Sequence, residues 1–302
     1  MEVQGGLDLA KSERVVGKKN RYKSMNRIGG NPINTTVTIL GLVFFLVFSL
    51  FPFLWMGITS VKHKEDLYLS PPVWIPEDTT FDHYRQIAKM GFGRFTLNSL
   101  GVASVVTVIV VVLSVLAAYG FSRLDFKGKG FLLPISLLGQ LMPQSVMFVP
   151  FHKMMSSLGL IDTYWALIIV YTALSLPFSI WLLTGYLESI PYSLDEAAMV
   201  DGCSRLQTMI RIVIPTAIPG IVSVAFYAFI ISWQEFLFAL IFINDTRLRT
   251  LPLALASFKG QYEINWGALM AGAMTTTLPT AIFFVVLQRL LIPGLTAGAV
   301  KE

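Results

Sequence analysis

Six long stretches of this chain contain no Asp, Glu, Lys or Arg, and they constrain its fold more than any other feature. Each is longer than the roughly 20 apolar residues that an α-helix needs to cross the hydrocarbon core of a membrane. Soluble domains carry about 25% charged residues, whereas only 14% of this chain is charged. The uncharged stretches run over residues 28–61, 95–122, 130–152, 163–187, 212–234 and 264–288.

Trimmed by hydropathy, these stretches predict an all-α polytopic membrane protein with six transmembrane helices. The predicted spans are 36–58, 96–121, 131–151, 164–187, 216–243 and 267–291. The third span contains Pro134, Pro143 and Pro150, so we expect it to be kinked or broken. A broken helix at membrane depth is tolerated only where protein or a water-filled cavity surrounds it.

The distribution of Lys and Arg predicts the orientation in the membrane. With the N-terminus inside, 14 of the 23 Lys and Arg residues fall in inside loops and tails, and 9 fall in outside loops. Residues 1–35 and 293–302 are therefore predicted to be cytoplasmic tails on either side of a transmembrane domain at 36–292.

Charge and residue types exclude several functions. The net charge is +5, but the cations lie in loops beside apolar runs rather than along one polar face. We therefore predict no nucleic-acid partner, and we predict contact with membrane lipid. The single cysteine, Cys203, excludes an internal disulfide. His63, His83 and His152 lack the spacing of a metal motif, so no metal site is predicted. The sequence has no phosphate-binding Gly-x4-Gly-Lys-Ser/Thr run, so we expect it not to bind ATP itself.

One charged segment, SLDEAAMVDGCSRLQTMIRIVIP, interrupts the apolar pattern between the fourth and fifth spans. Ser193, followed three residues later by Glu196, fits a capping box at the start of a helix. Gly202 is expected to end that helix in a left-handed conformation, and Ser204 to cap a second helix. Residues 188–215 therefore predict a helix–turn–helix loop in the cytoplasm, which either only connects two spans or docks a soluble partner.

The spacing within this loop is similar to a known motif. Glu196 to Ala198, Gly202 after three residues, and Ile212 to Pro215 after nine more resemble the EAA loop, EAA-x3-G-x9-I-x-L-P, with Ile at the Leu position. That loop belongs to permease subunits of binding-protein-dependent ABC importers. The stretches "GLIDTYWALIIVYTALSLPFSIWLL", "SWQEFLFAL" and "PGLTAGAVKE" are similar to the carbohydrate, maltose permease MalG-like branch. The resemblance covers essentially the whole chain and implies the MetI-like ABC importer permease fold.

The resemblance implies a subunit that forms half of the pore of an ATP-driven importer for a sugar or sugar derivative in the inner membrane. Such a subunit is not an enzyme by itself. The implied partners are a second, MalF-like permease, a homodimer of MalK-like ATPases that holds ATP and Mg²⁺, and an extracytoplasmic sugar-binding protein. In the family, the EAA loop forms a coupling helix that fits a cleft in one ATPase. The implied docking residues are Ser193, Asp195, Glu196, Ala197, Ala198, Asp201, Gly202 and Pro215.

Two further contacts follow from the resemblance alone. The C-terminal tail is expected to run as an extended strand along the ATPase dimer, and an outside loop to enter the binding protein and help expel sugar. The tail residues are Gly294, Leu295, Thr296 and Gly298, and the loop residues are Phe258, Lys259, Gly260, Gln261 and Tyr262. The alternatives are a frayed terminus and a solvated connection.

Polar and aromatic residues inside the predicted spans are candidates for the substrate pathway. An ionisable residue such as Glu235 is costly inside a membrane and is therefore a functional-site hypothesis, and aromatic rings can stack on the apolar faces of sugars. The candidates are Asn98, Gln140, Gln144, Tyr227, Trp233, Gln234 and Glu235. A purely structural role stays open, because amides hold membrane helices together and Trp often anchors a span at the interface.

Three other functions compete with sugar import. An ABC importer of peptides, phosphate or amino acids would share the EAA spacing. A secondary carrier would have more spans and inverted repeats with paired broken helices. A membrane-embedded enzyme would need a nucleophile–base pair or metal ligands inside the spans, and the sequence offers none.

Overall fold

The computed structural model describes residues 32–260 and 264–297. The fold in this part of the chain is all-α, as predicted, and its β-structure is an isolated antiparallel bridge between Lys259 and Ile264. The helices are α1 Pro32–Ser60, α2 Asp82–Lys89, α3 Phe92–Arg123, α4 Lys129–Leu138, α5 Gln144–Ser157, α6 Tyr164–Glu188, α7 Ser193–Val200, α8 Arg205–Thr208, α9 Ile214–Thr216, α10 Ile218–Gln234, α11 Leu237–Phe242, α12 Leu251–Ala256 and α13 Trp266–Ala297.

Four of these helices are long and apolar enough to cross a membrane, and six spans result if each of two bent helix pairs counts as one. The four contain Thr35–Ser60, Phe92–Arg123, Tyr164–Glu188 and Trp266–Arg289. They correspond to the predicted first, second, fourth and sixth spans, with ends that differ by a few residues.

The third span is broken, as its prolines led us to expect. Helices α4 and α5 meet at an angle of 98° across residues 139–143. The break lies at Met142 and Pro143, which both have an extended backbone, and a proline disfavours the helical conformation in the residue before it. Pro134 and Pro150 lie within α4 and α5 without ending them.

The fifth span differs from the continuous helix predicted over 216–243. Helix α10 ends at Gln234, Glu235 has an extended backbone, and a new helix, α11, begins at Leu237. At its other end, α10 is bent by 76° from Arg205–Thr216. Pro219 explains this bend, because a proline has no N–H with which to bind the carbonyl of Pro215 four residues earlier.

The sixth span also continues further than predicted. Helix α13 extends to Ala297, so the backbone of Gly294, Leu295 and Thr296 is helical rather than the expected extended strand. Adding residues to an existing helix avoids the cost of nucleation. Gly298 lies outside the described residues.

The chain divides into two units, residues 1–55 and 56–302. In the described part of the first unit, α1 carries exposed apolar side chains from Val37 to Leu54. The rings of Phe44 and Phe48 stack there, 6.2 Å apart between centroids.

The second unit has its main core between α3, α6 and α10. Val106, Val110, Tyr171 and Val224 are fully or almost fully buried there. A second cluster joins α2, α12 and α13 to α3 and α10; its buried residues include Trp233, Leu251, Phe258 and Ala271. Close packing of this kind, rather than expulsion of water, holds helices together inside a membrane.

Gly267 permits the closest approach between α13 and α2. A side-chain carbon at this position would lie 2.1 Å from Cε1 and 2.2 Å from Nε2 of His83. The His83 ring is buried, and its Nε2 lies 3.0 Å from the carbonyl oxygen of Lys62. The ring therefore cannot move aside without losing this contact.

Replacing Gly267 should consequently destabilise the protein. We expect Gly267→Ala to lower the free energy of unfolding by about 1–3 kcal/mol, as overpacking does, measured as a lower thermal midpoint in detergent. Gly101→Ala is the matched control, because a side-chain carbon there meets no atom within 4 Å. A midpoint for Gly267→Ala equal to that of Gly101→Ala would contradict the proposed clash.

Candidate functional site

The charged insert folds into the predicted helix–turn–helix. Helix α7 ends in a turn in which Gly202 has a φ of +88°. The N–H of Cys203 binds the carbonyl of Ala198 at 3.0 Å, and the N–H of Gly202 binds that of Met199 at 3.1 Å. These two bonds form a Schellman motif, which requires a left-handed residue where Gly202 stands. Residues 188–215, with α7 at their centre, are called the coupling segment below.

The capping box lies in the second helix rather than the first. At α8, Ser204 accepts a bond from the N–H of Gln207, and the Gln207 side chain accepts one from the N–H of Ser204. The predicted box at Ser193 and Glu196 is wrong. The chain is already helical at Tyr192, so Ser193 lies inside the first turn and its side chain does not cap it. The negative charge of Glu196 still interacts favourably with the helix dipole at the N-terminus of α7.

An ion pair joins the coupling segment to the end of the second span. Nε of Arg123, the last residue of α3, lies 3.2 Å from Oδ2 of Asp195, and the two side chains are 5% and 3% exposed. The same guanidinium donates a hydrogen bond to the carbonyl of Ile190 at 3.1 Å and lies 5.8 Å from the centre of the Tyr192 ring. Within the described residues, neither Asp195 oxygen has a well-aligned hydrogen bond, so Arg123 is the group that compensates its charge.

Two of the predicted docking residues are buried, so the predicted docking surface has to be corrected. Asp195 and Ala198 face the interior of the chain and are 2% and 6% exposed, so they cannot form the contact surface for a partner. The reason is that α7 packs against α8 and the following segment Met209–Val213, and residues three apart, such as Asp195 and Ala198, share one face of a helix. The predicted docking residues on the exposed side are Ser193, Glu196, Ala197, Asp201, Gly202 and Pro215, with Val200 beside them at 87% exposure.

Glu235 has a structural role at the break in the fifth span. Its carboxylate accepts hydrogen bonds from the N–H groups of Phe238 at 2.8 Å and Ala239 at 3.2 Å, and from the hydroxyl of Tyr171 at 2.5 Å. The first N–H groups of a helix have no partner within the helix, and a membrane offers them no water. Glu235 supplies the missing acceptors at the start of α11, and the residue is only 9% exposed.

The other pathway candidates fall into three groups. Trp233 is 1% exposed, its Nε1 donates to the carbonyl of Thr276, and its ring stacks on Phe229, so its predicted contact with sugar is wrong for this structure. Asn98 donates to the carbonyls of Arg247 and Arg249 and thereby ties the start of α3 to a loop. Gln140, Gln144 and Gln234 are exposed, and Tyr227 is half-buried.

The predicted binding-protein loop is only partly available. Phe258 is 5% exposed and packs against Phe92 with ring centroids 5.7 Å apart, so it belongs to the second core cluster. Burying the ring of an aromatic residue is more favourable than leaving it exposed to water at the tip of a loop. Lys259 and Gly260 are exposed, whereas Gln261 and Tyr262 lie outside the described residues.

A second loop at this end of the molecule is fixed by Asp162. Its carboxylate accepts hydrogen bonds from the backbone N–H groups of Asp245, at 2.9 Å, and Asn244. These donors favour the charged form and hold the pKa of Asp162 below its usual value. Arg247 lowers the pKa of Asp245 in the same way, through its hydrogen bonds to that carboxylate. Within the described residues there is no group of three His, Cys, Asp or Glu residues that could hold a metal ion.

Comparison with known proteins identifies the family. Residues 110–297, which include the whole coupling segment, match the family described as "Binding-protein-dependent transport system inner membrane component". The chain belongs to this family. It is therefore the permease subunit of an ABC importer, a multi-pass protein of the inner membrane, and not itself an ATPase.

Several relatives match over nearly their whole length. The trehalose/maltose transport system permease protein MalG of Thermococcus litoralis is 38% identical over 268 residues, which is 87% of this chain and 95% of the relative. The sulfoquinovosyl glycerol permease SmoH of Agrobacterium fabrum is 36% identical over 85% of this chain and 90% of its own. The trehalose permease SugB of Mycobacterium tuberculosis is 36% identical over 84% of this chain and 93% of its own.

A solved structure supports the fold. A chain of a bacterial ABC transporter involved in the import of alginate superposes on the permease with a TM-score of 0.73 at 21% identity. The match covers 86% of this chain and 97% of the other.

Sequence reasoning missed Arg123 and Tyr171 as site residues. Arg123 counted only as one of the inside cations, and Tyr171 as an apolar-span residue. A cation directly at the end of a span could have pointed to Arg123, and an ionisable residue inside a span could have pointed to Tyr171. Both kinds of residue need a buried partner. Neither signal names the partner.

Breaking the ion pair on one side should destabilise the permease more than removing both partners. We expect Arg123→Met to cost about 3–5 kcal/mol, because Asp195 is left buried without a compensating charge. The double variant Arg123→Met/Asp195→Leu should recover most of this loss. The measurement is the thermal midpoint of the purified transporter, with Arg205→Met, at an exposed position, as the control. A double variant less stable than Arg123→Met would contradict this account.

Removing the carboxylate of Glu235 should likewise affect stability. We expect Glu235→Leu to lower the free energy of unfolding by about 1–3 kcal/mol for each donor left without a partner. Gln234→Leu, at the exposed neighbouring position, should leave it within about 0.5 kcal/mol of the wild type. Denaturation followed by circular dichroism would compare the two, and equal effects would argue that Glu235 does not cap α11.

Proposed function

We propose that this permease forms half of the translocation pore of an importer for a sugar or sugar derivative. The observation that carries this proposal is the match, over more than four fifths of the chain, to permeases named for trehalose, maltose and sulfoquinovosyl glycerol. Import of a peptide, phosphate or amino acid is the alternative within the family.

The proposed assembly has four further parts. A second, MalF-like permease completes the pore, two MalK-like ATPases hold ATP and Mg²⁺, and an extracytoplasmic sugar-binding protein delivers the substrate. Both termini of the permease lie in the cytoplasm, as the distribution of Lys and Arg predicts. The coupling segment then faces the ATPases.

The coupling segment docks one ATPase through its exposed side. Glu196 pairs with a basic residue of the ATPase, while Ala197 permits close contact because its side chain is short. Gly202 keeps the turn compact, and Pro215 lies in the short helix that leads to the fifth span. Movement of the ATPase reaches α3 through Arg123 and Asp195, which supports transmission as a rigid-body motion.

The proposed contacts of the outside loop and of the C-terminal tail differ in part from those predicted from the sequence. Lys259 and Gly260, together with Gln261 and Tyr262, meet the binding protein, while Phe258 holds the loop in place from the core. Gly294, Leu295, Thr296 and Gly298 approach the ATPase dimer, the first three from the last turn of α13.

Substrate class is tested by transport with the complete assembly. Uptake by proteoliposomes containing the purified transporter, its binding protein and internal ATP would be measured for maltose, trehalose, sulfoquinovosyl glycerol, a tripeptide and phosphate. Uptake of a saccharide supports the proposal. Uptake of only the peptide or phosphate overturns it, and uptake driven by an ion gradient without ATP would indicate a secondary carrier.

Reversing the charge at Glu196 should uncouple the transporter. We expect Glu196→Lys to insert normally but to reduce ATP-driven uptake by at least about tenfold, the effect of losing one charge pair of about 1.4 kcal/mol and gaining a repulsion. Glu77→Lys makes the same charge change at an exposed loop position and should transport like the wild type. Wild-type uptake and ATPase activity in Glu196→Lys would refute docking through this residue.

A further inference from the structure

A cavity of about 370 Å³ lies between α4, α6 and α10, at the end of these helices nearest the coupling segment. Trp181, Thr184, Gly185 and Glu188 line it from α6, and Ser223 lines it from α10. Its volume falls within the range of about 300–1,000 Å³ that is typical of small-molecule sites. None of the pathway candidates named from the sequence is among its lining residues.

A row of aromatic rings leads into this cavity. The ring of Tyr227 lies 4.6 Å from that of Phe178, and the ring of Phe178 lies 5.5 Å from that of Trp181, measured between centroids. Trp181 is 47% exposed, so part of its side chain is accessible to a ligand. Flat apolar rings of this kind suit the C–H faces of sugars.

Three polar groups of the cavity can accept hydrogen bonds, while the indole N–H of Trp181 and the hydroxyl of Tyr186 can donate them. The hydroxyls of Thr184 and Ser223 donate to the carbonyls of Ile180 and Pro219 in their own helices, so their oxygen atoms can accept a further bond from a ligand. Glu188 adds an exposed carboxylate, which also only accepts when ionised. A hydroxyl-rich ligand can donate further hydrogen bonds to these oxygen atoms, whereas a lipid tail cannot.

The charge of the cavity restricts the ligand further. Among the described residues that line the cavity, Glu188 is the one with a formal charge at neutral pH, and this charge is negative. The negative charge of Glu188 would repel a carboxylate or sulfonate on the ligand. An uncharged saccharide meets both requirements, donors for the acceptors and an apolar face for the indole.

We propose that this cavity is a saccharide-binding station on the translocation pathway, entered along Tyr227 and Phe178 and selective for uncharged sugars. This inference rests on the proposed function and names the substrate class of the same pore. Trp181 provides the stacking surface, Glu188, Thr184 and Ser223 accept hydrogen bonds from sugar hydroxyls, and Gly185 leaves the wall open. A side-chain carbon at Gly185 would meet no atom within 4 Å.

Filling the cavity, or removing its indole ring, should lower uptake of the sugar without disturbing the packing of the helices. In the complete transporter, we expect Gly185→Phe and Trp181→Ala each to lower uptake of maltose or trehalose per ATP hydrolysed by about tenfold. Trp181→Phe should retain most of the uptake because it keeps an aromatic face. Gly101→Phe is the matched control, since Gly101 is another helical glycine with open space around it. Wild-type uptake in both Gly185→Phe and Trp181→Ala overturns the inference.

Chemical labelling provides a second measurement that does not depend on a bulky substitution. Gly185→Cys, in a Cys203→Ser background, would be reacted with a small maleimide during turnover with the binding protein and ATP. We expect the transported sugar to slow the labelling several-fold, and to leave the labelling of Gly101→Cys unchanged. Equal labelling of Gly185→Cys with and without sugar would mean that lipid or the second permease fills the cavity, and would overturn the inference.

The substrate panel separates the two levels of the proposal. If the wild type takes up no saccharide, the proposed function fails regardless of the cavity. If it takes up maltose or trehalose and the cavity variants behave as wild type, only the cavity inference fails. Preferred uptake of sulfoquinovosyl glycerol over the neutral disaccharides would overturn selectivity for uncharged sugars.

Discussion

The hydrocarbon core of a membrane offers no hydrogen-bond partner to the backbone, and the rest of this structure depends on that constraint. Continuous helices satisfy it along most of the permease. Where a helix is interrupted, a side chain has to take over, and Glu235 does so at the start of α11 with help from Tyr171. A carboxylate that looks like a pathway residue in the sequence is thus part of the scaffold that makes a broken span tolerable.

The same reasoning applies to the end of the second span. Arg123 lies where α3 leaves the membrane, and its charge is buried together with that of Asp195. Burial of two charges is favourable only when they stay paired, so the pair fixes α7 to α3 with little freedom to slide. The two carboxylates at the start of the coupling segment therefore have different tasks: Asp195 attaches the segment to the permease, and Glu196 is left exposed on its outer face.

Between these two fixed points, the structure leaves one face of α6 open. Buried residues of α6 such as Tyr171 and Leu183 pack against α3 and α10, whereas Trp181, Gly185 and Glu188, on another face of the helix, are exposed. The resulting cavity combines an aromatic surface with hydrogen-bond acceptors and a single sign of charge. It lies beside the coupling segment, so a ligand held there would be close to the part of the permease that we propose the ATPases move.

The sequence by itself determined the helical class, the approximate spans, the presence of a break in the proline-containing third span and the helix–turn–helix of the coupling segment. These features follow from local rules: the length of apolar runs, the restrictions of proline, and the left-handed turn that Gly202 permits. The tertiary structure alone decided which polar residues face inward. Asp195, Trp233, Phe258 and Glu235 were expected at contact or pathway surfaces, and all four are buried. Their partners lie far away in the chain, and burial depends on which helices meet, a relation that residue type and spacing do not encode.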